Sequence, residues 1–178
     1  MNPHTLAFNA SSDFGLNNPH RVPIIQTQSN TCFNKLRLDP EGDLRQLLEP
    51  FLTKSDETED LVLDFNKIIP EQTSTKEESR AWRLKNWGTS KNPTTTTLSK
   101  TGVTFHTAYT PPIGIVRQLA AHTGKNFKLY YQEKELELCG EITIPSDGKI
   151  QTIQYPIGSA PLELIEELGS YQDTNISI

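Results

Sequence analysis

The chain has 178 residues, enough for one ordinary domain and too few for two well-filled cores. A hydrophobic share of 34% and a mean hydropathy of -0.53 predict a modest core, with some length in arms and loops. The net charge of -5 argues against general affinity for a phosphate backbone, which rests on lysine and arginine displacing counterions, and leaves room for a local basic face.

Residues 1–29 are rich in Asn, Ser, Pro and Gln, with apolar residues of no clear period, and predict an N-terminal arm, partly extended. His4 and His20 lie there without partners at ligand spacing and read as solvated, so no metal or other cofactor is expected. Alternation makes Thr31 to Leu38 the first strand, with Cys32, Leu36 and Leu38 on one face and Phe33, Lys35 and Arg37 on the other. Asp39 ahead of Pro40 and Glu41 reads as a helix start. The stripe Leu44, Leu47, Leu48, Phe51 and Leu52 carries that helix to about Thr53, with a kink or early stop at Pro50. Leu61 to Pro70 is predicted as a second strand, Leu61, Leu63 and Phe65 pointing one way. Thr75, with Glu78 three residues on, opens a helix to Trp87. Its stripe (Ala81, Trp82, Leu84, Trp87) is thin, so the indoles supply much of the burial, and Gly88 suits its C-terminal cap. Ser90 to Lys100 reads as a polar loop.

Gly102 to Tyr109 is predicted as the third strand. Thr110 is the expected cap of the next helix, Pro111 and Pro112 fit its first turn, Ile113, Val116, Leu119 and Ala120 form its buried face, and Gly124 closes it. Asn126 to Gln132 and Glu135 to Ile144 form a strand pair around Glu133 and Lys134. In the second of these, a core face (Leu136, Leu138, Gly140, Ile142, Ile144) opposes an acidic one (Glu135, Glu137, Cys139, Glu141, Thr143). Lys149 to Tyr155 is a further strand, Pro161 to Leu168 a short helix exposing Glu163, Glu166 and Glu167, and 171–178 a polar tail.

This order of elements predicts an α+β fold: a ferredoxin-like βαβ-βαβ sandwich forming a single domain over 30–170, with the helix of 75–87 inserted between the halves and the antiparallel sheet edge extended by 135–155. Both striped helices shelter one side of a single sheet, leaving the other side exposed.

The runs NTCFNKLRL, LDFNKIIP, NWGT and FHTAYTPP, then the FKLYY strand and the strand ending near Cys139-Gly140, resemble the YubB ferredoxin-like domain family of phages, plasmids and other mobile elements. The resemblance covers about residues 30–150 and is most specific at Asp64 to Pro70, Asn86 to Thr89 and Thr107 to Pro112. This chain carries Ser90, Lys91 and Asn92 where members have Lys and Trp after NWGT, and Tyr109 where they have Trp. The resemblance implies a fold and a genomic setting, without a reaction.

No P-loop, dinucleotide fingerprint or metal-ligand cluster is present, so no catalytic residue is assigned and an enzyme is not expected. A His106–Cys139 nucleophile would need both residues together with a third orienting group, and nothing in the spacing places them so. The cysteines, Cys32 and Cys139, read as reduced, mostly structural thiols rather than a bridge. Trp82, Asn86, Trp87, Gly88 and Thr89 read first as a structural motif and second as a binding surface. A nucleic-acid alternative uses an open sheet face on which aromatics stack bases: Phe33, Lys35, Arg37, His106, Lys128 and Tyr130. The preferred expectation is a mobile-element accessory protein that binds a host protein or complex through Glu135, Glu137, Glu141, Glu163, Glu166 and Glu167, for instance as an inhibitor of a CRISPR effector. No run nears the roughly 20 apolar residues that cross a bilayer, and no signal peptide is seen, so a cytoplasmic location is expected, that of the host cell if phage-encoded.

Overall fold

β1 (Thr31–Asp39) forms where alternation predicts it, and its two faces enter different clusters: Cys32 and Leu36 the main core, Phe33 a smaller patch behind the sheet. The structure is a computed structural model in which residues 30–55, 60–73 and 75–169 are described; the expected arm at 1–29, with His4 and His20, and the tail at 171–178 lie outside the described residues. α1 (Leu44–Leu48) starts later than Asp39 suggests. The strand continues through Asp39, paired with Asn126, and it is Asp43 whose carboxylate accepts the Gln46 N–H as N-cap. The α-helix gives way to a 3-10 turn at Glu49–Phe51, around the Pro50 that lacks an N–H for the next helical bond.

The predicted second strand is the main correction. β3 (Leu61–Leu63) pairs with β2 (Leu52–Lys54) in a two-stranded sheet of its own, and α2 (Phe65–Ile68) follows at once. Asp64 caps that turn, its Oδ1 accepting from Asn66 N at 3.0 Å, and Phe65 and Ile68 bury together at helical spacing. Reading Leu61, Leu63 and Phe65 as one alternation runs a strand through a capping aspartate. The place in the main sheet belongs instead to β4 (Thr96–Leu98), inside the predicted polar loop; β-branched threonines suit an edge strand with little to bury.

The chain continues through α3 (Lys76–Asn86), β5 (Val103–Ala108), α4 (Ile113–Thr123), β6 (Asn126–Glu133), β7 (Leu138–Ile144), β8 (Gln151–Pro156) and α5 (Leu162–Leu168). The six-stranded sheet has the order β4-β5-β1-β6-β7-β8, and each neighbouring pair is antiparallel. With β2, β3, α2 and α3 set aside as an insertion, the path β1-α1-β4-β5-α4-β6 and the order β4-β5-β1-β6 are those of a ferredoxin-like α+β fold. The insertion is thus larger than the single helix expected, and β7 and β8 extend the β6 edge. α1 and α4 cover the same face, where Leu44, Leu48, Val116 and Leu119 meet Leu36, Phe105, Phe127 and Leu129.

The segments most specific to the family resemblance meet in space. Trp87, fully buried, donates from Nε1 to the Ile69 carbonyl at 3.0 Å, stands edge-on to Phe65 and Trp82, and carries the Arg83 guanidinium 5.0 Å over its ring. Asn86 Nδ2 donates to the Trp82 carbonyl, and Thr89 Oγ1 to the Ala108 carbonyl at 2.8 Å. Thr110 does not cap α4, where Pro112 holds the N-cap position without a side-chain bond; its hydroxyl donates to the Gly88 carbonyl at 2.6 Å. Gly114 N donates to the Trp87 carbonyl, and a Cβ at Gly114 would stand 1.9 Å from Asn86 O, so only glycine lets α4 begin this close to the end of α3. Gly88 has φ +89°, the left-handed value a helix C-terminus favours. The loop after Thr89 is anchored too: Ser90 is buried, and Asn92 accepts from Phe65 N and donates to Asp64 Oδ1.

Candidate functional site

The second face of the sheet is covered by α5. Leu164 and Leu168 lie on Phe33, Tyr130 and Cys139, a small aromatic and thiol patch that is distinct from the main core. Sheet cations secure the helix: Lys35 Nζ donates to the Glu167 carbonyl at 2.5 Å and lies 3.0 Å from its Oε2, while Arg37 donates to Oε1 at 2.5 Å. Lysine at the last turn of a helix also meets the negative end of its dipole. Burial by itself would raise the Glu167 carboxyl, but the hydrogen bonds and charges of Lys35 and Arg37 outweigh it and hold the group below the usual carboxylate range. One β-strand over, Lys128 lies 3.4 Å from Glu141. Burial opposes the charged ammonium there, and Glu141 reverses that effect, leaving the lysine raised.

Between α5 and the β6–β8 edge lies a cleft of about 310 Å³. Its walls are Tyr130, Ile153, Tyr155, Pro161 and Leu164, and its charged lining is Glu141, Glu163 and Glu167. Among the described residues no cation lines it; Lys35 and Arg37 reach Glu167, and Lys128 reaches Glu141, from outside the cleft. Among the described residues Glu163 has no cationic partner. A larger depression of about 480 Å³ lies at the β1–α1 turn, where two of the lining acids are engaged, Asp43 as the α1 cap and Glu41 with Arg37 at 3.2 Å.

The cleft gathers residues from both sets singled out in the sequence: Glu141, Glu163 and Glu167 from the acidic set, Tyr130 from the aromatic one. Others lie elsewhere. Glu135 and Glu137 are not on a strand face; residues 134–137 form the β6–β7 turn, where Glu137 has φ +52° and the Asn30 amide, its nitrogen oriented by its surroundings, donates to the Glu135 carboxylate. Leu136, placed in the core by alternation, is 62% exposed for the same reason. Glu166 is exposed on α5 outside the cleft, and Glu167, expected to be exposed, is tied to the sheet. Phe33 and Tyr130 are buried, so the exposed aromatic face expected behind the sheet is covered. His106 stands edge-on to Phe33, with Thr95 Oγ1 3.2 Å from its Nδ1; burial, then the charge of Lys134, lowers its pKa and favours the neutral ring. Ile153, Tyr155, Pro161 and Leu164 were not singled out. Alternation along the strand of Lys149 to Tyr155 is the signal that could have set Ile153 with Tyr155, but only packing shows that α5 faces them.

His106, Phe33, Gln132 and Cys139 follow one another across β5, β1, β6 and β7 in one cross-strand row. Three strand spacings put His106 about 14 Å from Cys139, too far for a nucleophile–base pair. Both thiols are free, buried and on opposite sheet faces, and burial pushes both up, the Glu133 charge adding to the effect at Cys32. They stay protonated, the reverse of an activated cysteine. Among the described residues no cluster of three His, Cys, Asp or Glu side chains suits a metal ion, and no helix is long and apolar enough to cross a membrane.

The family model described as "Ferredoxin-like domain in Api92-like protein" matches residues 86–174, half of the chain. The chain belongs to this family. Within this Api92-like domain the match begins at Asn86, in the NWGT run, and takes in β4 through α5, so that the sheet edge, the covering helix and the whole cleft fall inside it. The chain is also similar to the crystal structure of a protein api92 from Yersinia pseudotuberculosis, with 14% identity and a TM-score of 0.43 over 57% of this chain and 43% of that one. No curated protein matches.

Proposed function

We propose that the protein works by binding another protein at the acid-lined cleft between α5 and β6–β8. The observation that supports this is the distribution of charge: each charged residue lining the cleft is a glutamate, whereas Lys35, Arg37 and Lys128, the cations that would hold a nucleic-acid backbone, pair with Glu167 and Glu141. The base-stacking alternative needs Phe33 and Tyr130 bare, and both lie under α5. A binder rather than a catalyst also accords with the separation of His106 from Cys139 and with thiols held in their neutral form.

The setting belongs to the same proposal. Resemblance to the YubB family supports an accessory factor of a phage or plasmid, acting in the host cytoplasm, and an acidic cleft is complementary to the basic nucleic-acid channel of a host defence complex such as a CRISPR effector. The experiment compares the tagged chain with its Glu141→Lys/Glu163→Lys variant in pull-downs from host cells, alongside fluorescence anisotropy with single-stranded oligonucleotides. A stoichiometric protein lost with the double variant is the expected result. Salt-sensitive oligonucleotide binding with no protein partner would replace the reading with the nucleic-acid one.

A further inference from the structure

The acid-lined cleft opens beside β8, the last strand of the sheet, and the two features together specify more than either one. Ile153 and Tyr155, opposite Glu141 and Cys139 on β7, face the α5 side and form the cleft wall. Among the described residues no strand lies beyond β8, so alternate residues of Gln151–Pro156 turn N–H and C=O groups outward. Sheet edges are ordinarily guarded by charged side chains, bulges, proline or a covering loop. β8 has no charged residue and an unbroken register with β7, and Pro156 at its end is the one such guard on the strand. Ile153, 53% exposed, leaves an apolar step between that edge and the carboxylates.

We infer that the partner engages as an extended segment, added antiparallel or parallel to β8 as a seventh strand, and that one of its lysine or arginine side chains enters the cleft. This rests on the protein-binding reading above and names its mode. Main-chain bonds to the edge supply affinity without sequence, and alternate side chains on one face supply specificity. A side chain directed from the new strand to the α5 face passes Ile153 and Tyr155, which suit the apolar stem of a long basic residue, and meets Glu163 and Glu141 with its head. Tyr155 adds a ring face that favours a cation. An acidic residue at that position meets like charge, and a norleucine fills the wall but leaves Glu163 unmatched, since Glu141 and Glu167 already have cationic partners.

The test uses the isotope-labelled full chain in NMR titrations. The probes are a capped peptide of alternating threonine and valine with one central lysine, its norleucine and glutamate counterparts, the lysine peptide methylated on alternate backbone nitrogens, and oligothymidylate. The expected result is shifts confined to Gln151–Tyr155, Tyr130 and Glu163, affinity falling about tenfold for norleucine and further for glutamate, and loss of binding on N-methylation. Glu163→Gln should weaken the lysine peptide and leave the norleucine peptide unchanged. Equal affinity for lysine and norleucine, indifference to N-methylation, the same shifts from oligothymidylate, or self-association of the free chain that protects the β8 amides would each overturn the inference. Partner capture that depends on Glu163 but is insensitive to competing lysine peptide would reject the added strand and leave the protein-binding reading intact; loss of both would reject both.

Discussion

The two faces of the sheet are held by different physics. Under α1 and α4 lies a continuous apolar core, sealed at one end by Trp87 and the close contact of α3 with α4. Under α5 lie only three buried residues, Phe33, Tyr130 and Cys139, met by Leu164 and Leu168 of the helix, whose last turn is pinned by ion pairs from Lys35 and Arg37 to one glutamate. The first face carries the stability of the fold; the second is a lightly held cover beside a cleft, the kind of region from which binding surfaces are drawn.

Breaking the first face should cost most. Trp87→Ala removes a fully buried indole, its bond to Ile69 and its contacts with Phe65 and Trp82, and is expected to lower stability by about 4 kcal/mol in denaturant melts, enough to unfold a marginal domain. Gly114→Ala drives a methyl into Asn86 O and should cost about 3 kcal/mol, moving the start of α4 away from the Trp87 carbonyl. On the second face, Leu164→Ala should cost about 2 kcal/mol, mostly as local detachment of α5. Its signature is a thiol reagent that reaches Cys139 while Cys32 stays protected, with the far-ultraviolet spectrum nearly unchanged. Equal exposure of both thiols would mean that the two faces unfold as one. Glu167→Gln, which removes the charge from two partly exposed pairs, should cost about 1 kcal/mol and appear as faster amide exchange in α5 alone.

Acidification gives the finest comparison. The Glu71 carboxyl, held by the hydroxyls of Ser79 and Thr73 and by Arg83, is pushed down to about 2. Because its folded value is depressed, its stabilisation is fully present above the ordinary carboxylate value and is lost as pH falls through that value towards 2. Glu167 follows the same sign. Stability in denaturant melts should therefore hold steady above about pH 5 and fall below it, Glu71→Gln should remove its share of that fall, and the indole resonances of Trp87, under Arg83, should move only as the pH approaches 2, where the folded carboxyl itself protonates.

Much of the fold was legible because it is local. β1, β5, β6 and the α4 stripe follow from alternation and helical spacing, the stop at Pro50 from a missing N–H, and the end of α4 from Gly124. The misreadings share a cause. At Asp64 and at Thr96 to Leu98 the local pattern allows strand, helix or loop, and hydrogen bonds with distant residues decide: Asn92 donating to Asp64 and accepting from Phe65 N, and Thr96 Oγ1 accepting from Leu63 N. Thr110 has the composition of a helix cap and uses its hydroxyl across the fold on Gly88.

The candidate site divides in the same way. Residue order by itself determined the acidic character of the C-terminal part, the alternation that sets Ile153 with Tyr155, and the pairing of sheet cations on one face of β1. Only tertiary structure decided that α5 lies on that face, that Glu167 meets Lys35 and Arg37 across more than a hundred residues of chain, and that Glu141 and Glu163 border the same cleft. Periodicity reports which side of its own element a residue occupies; what lies against that side depends on contacts that no local spacing encodes.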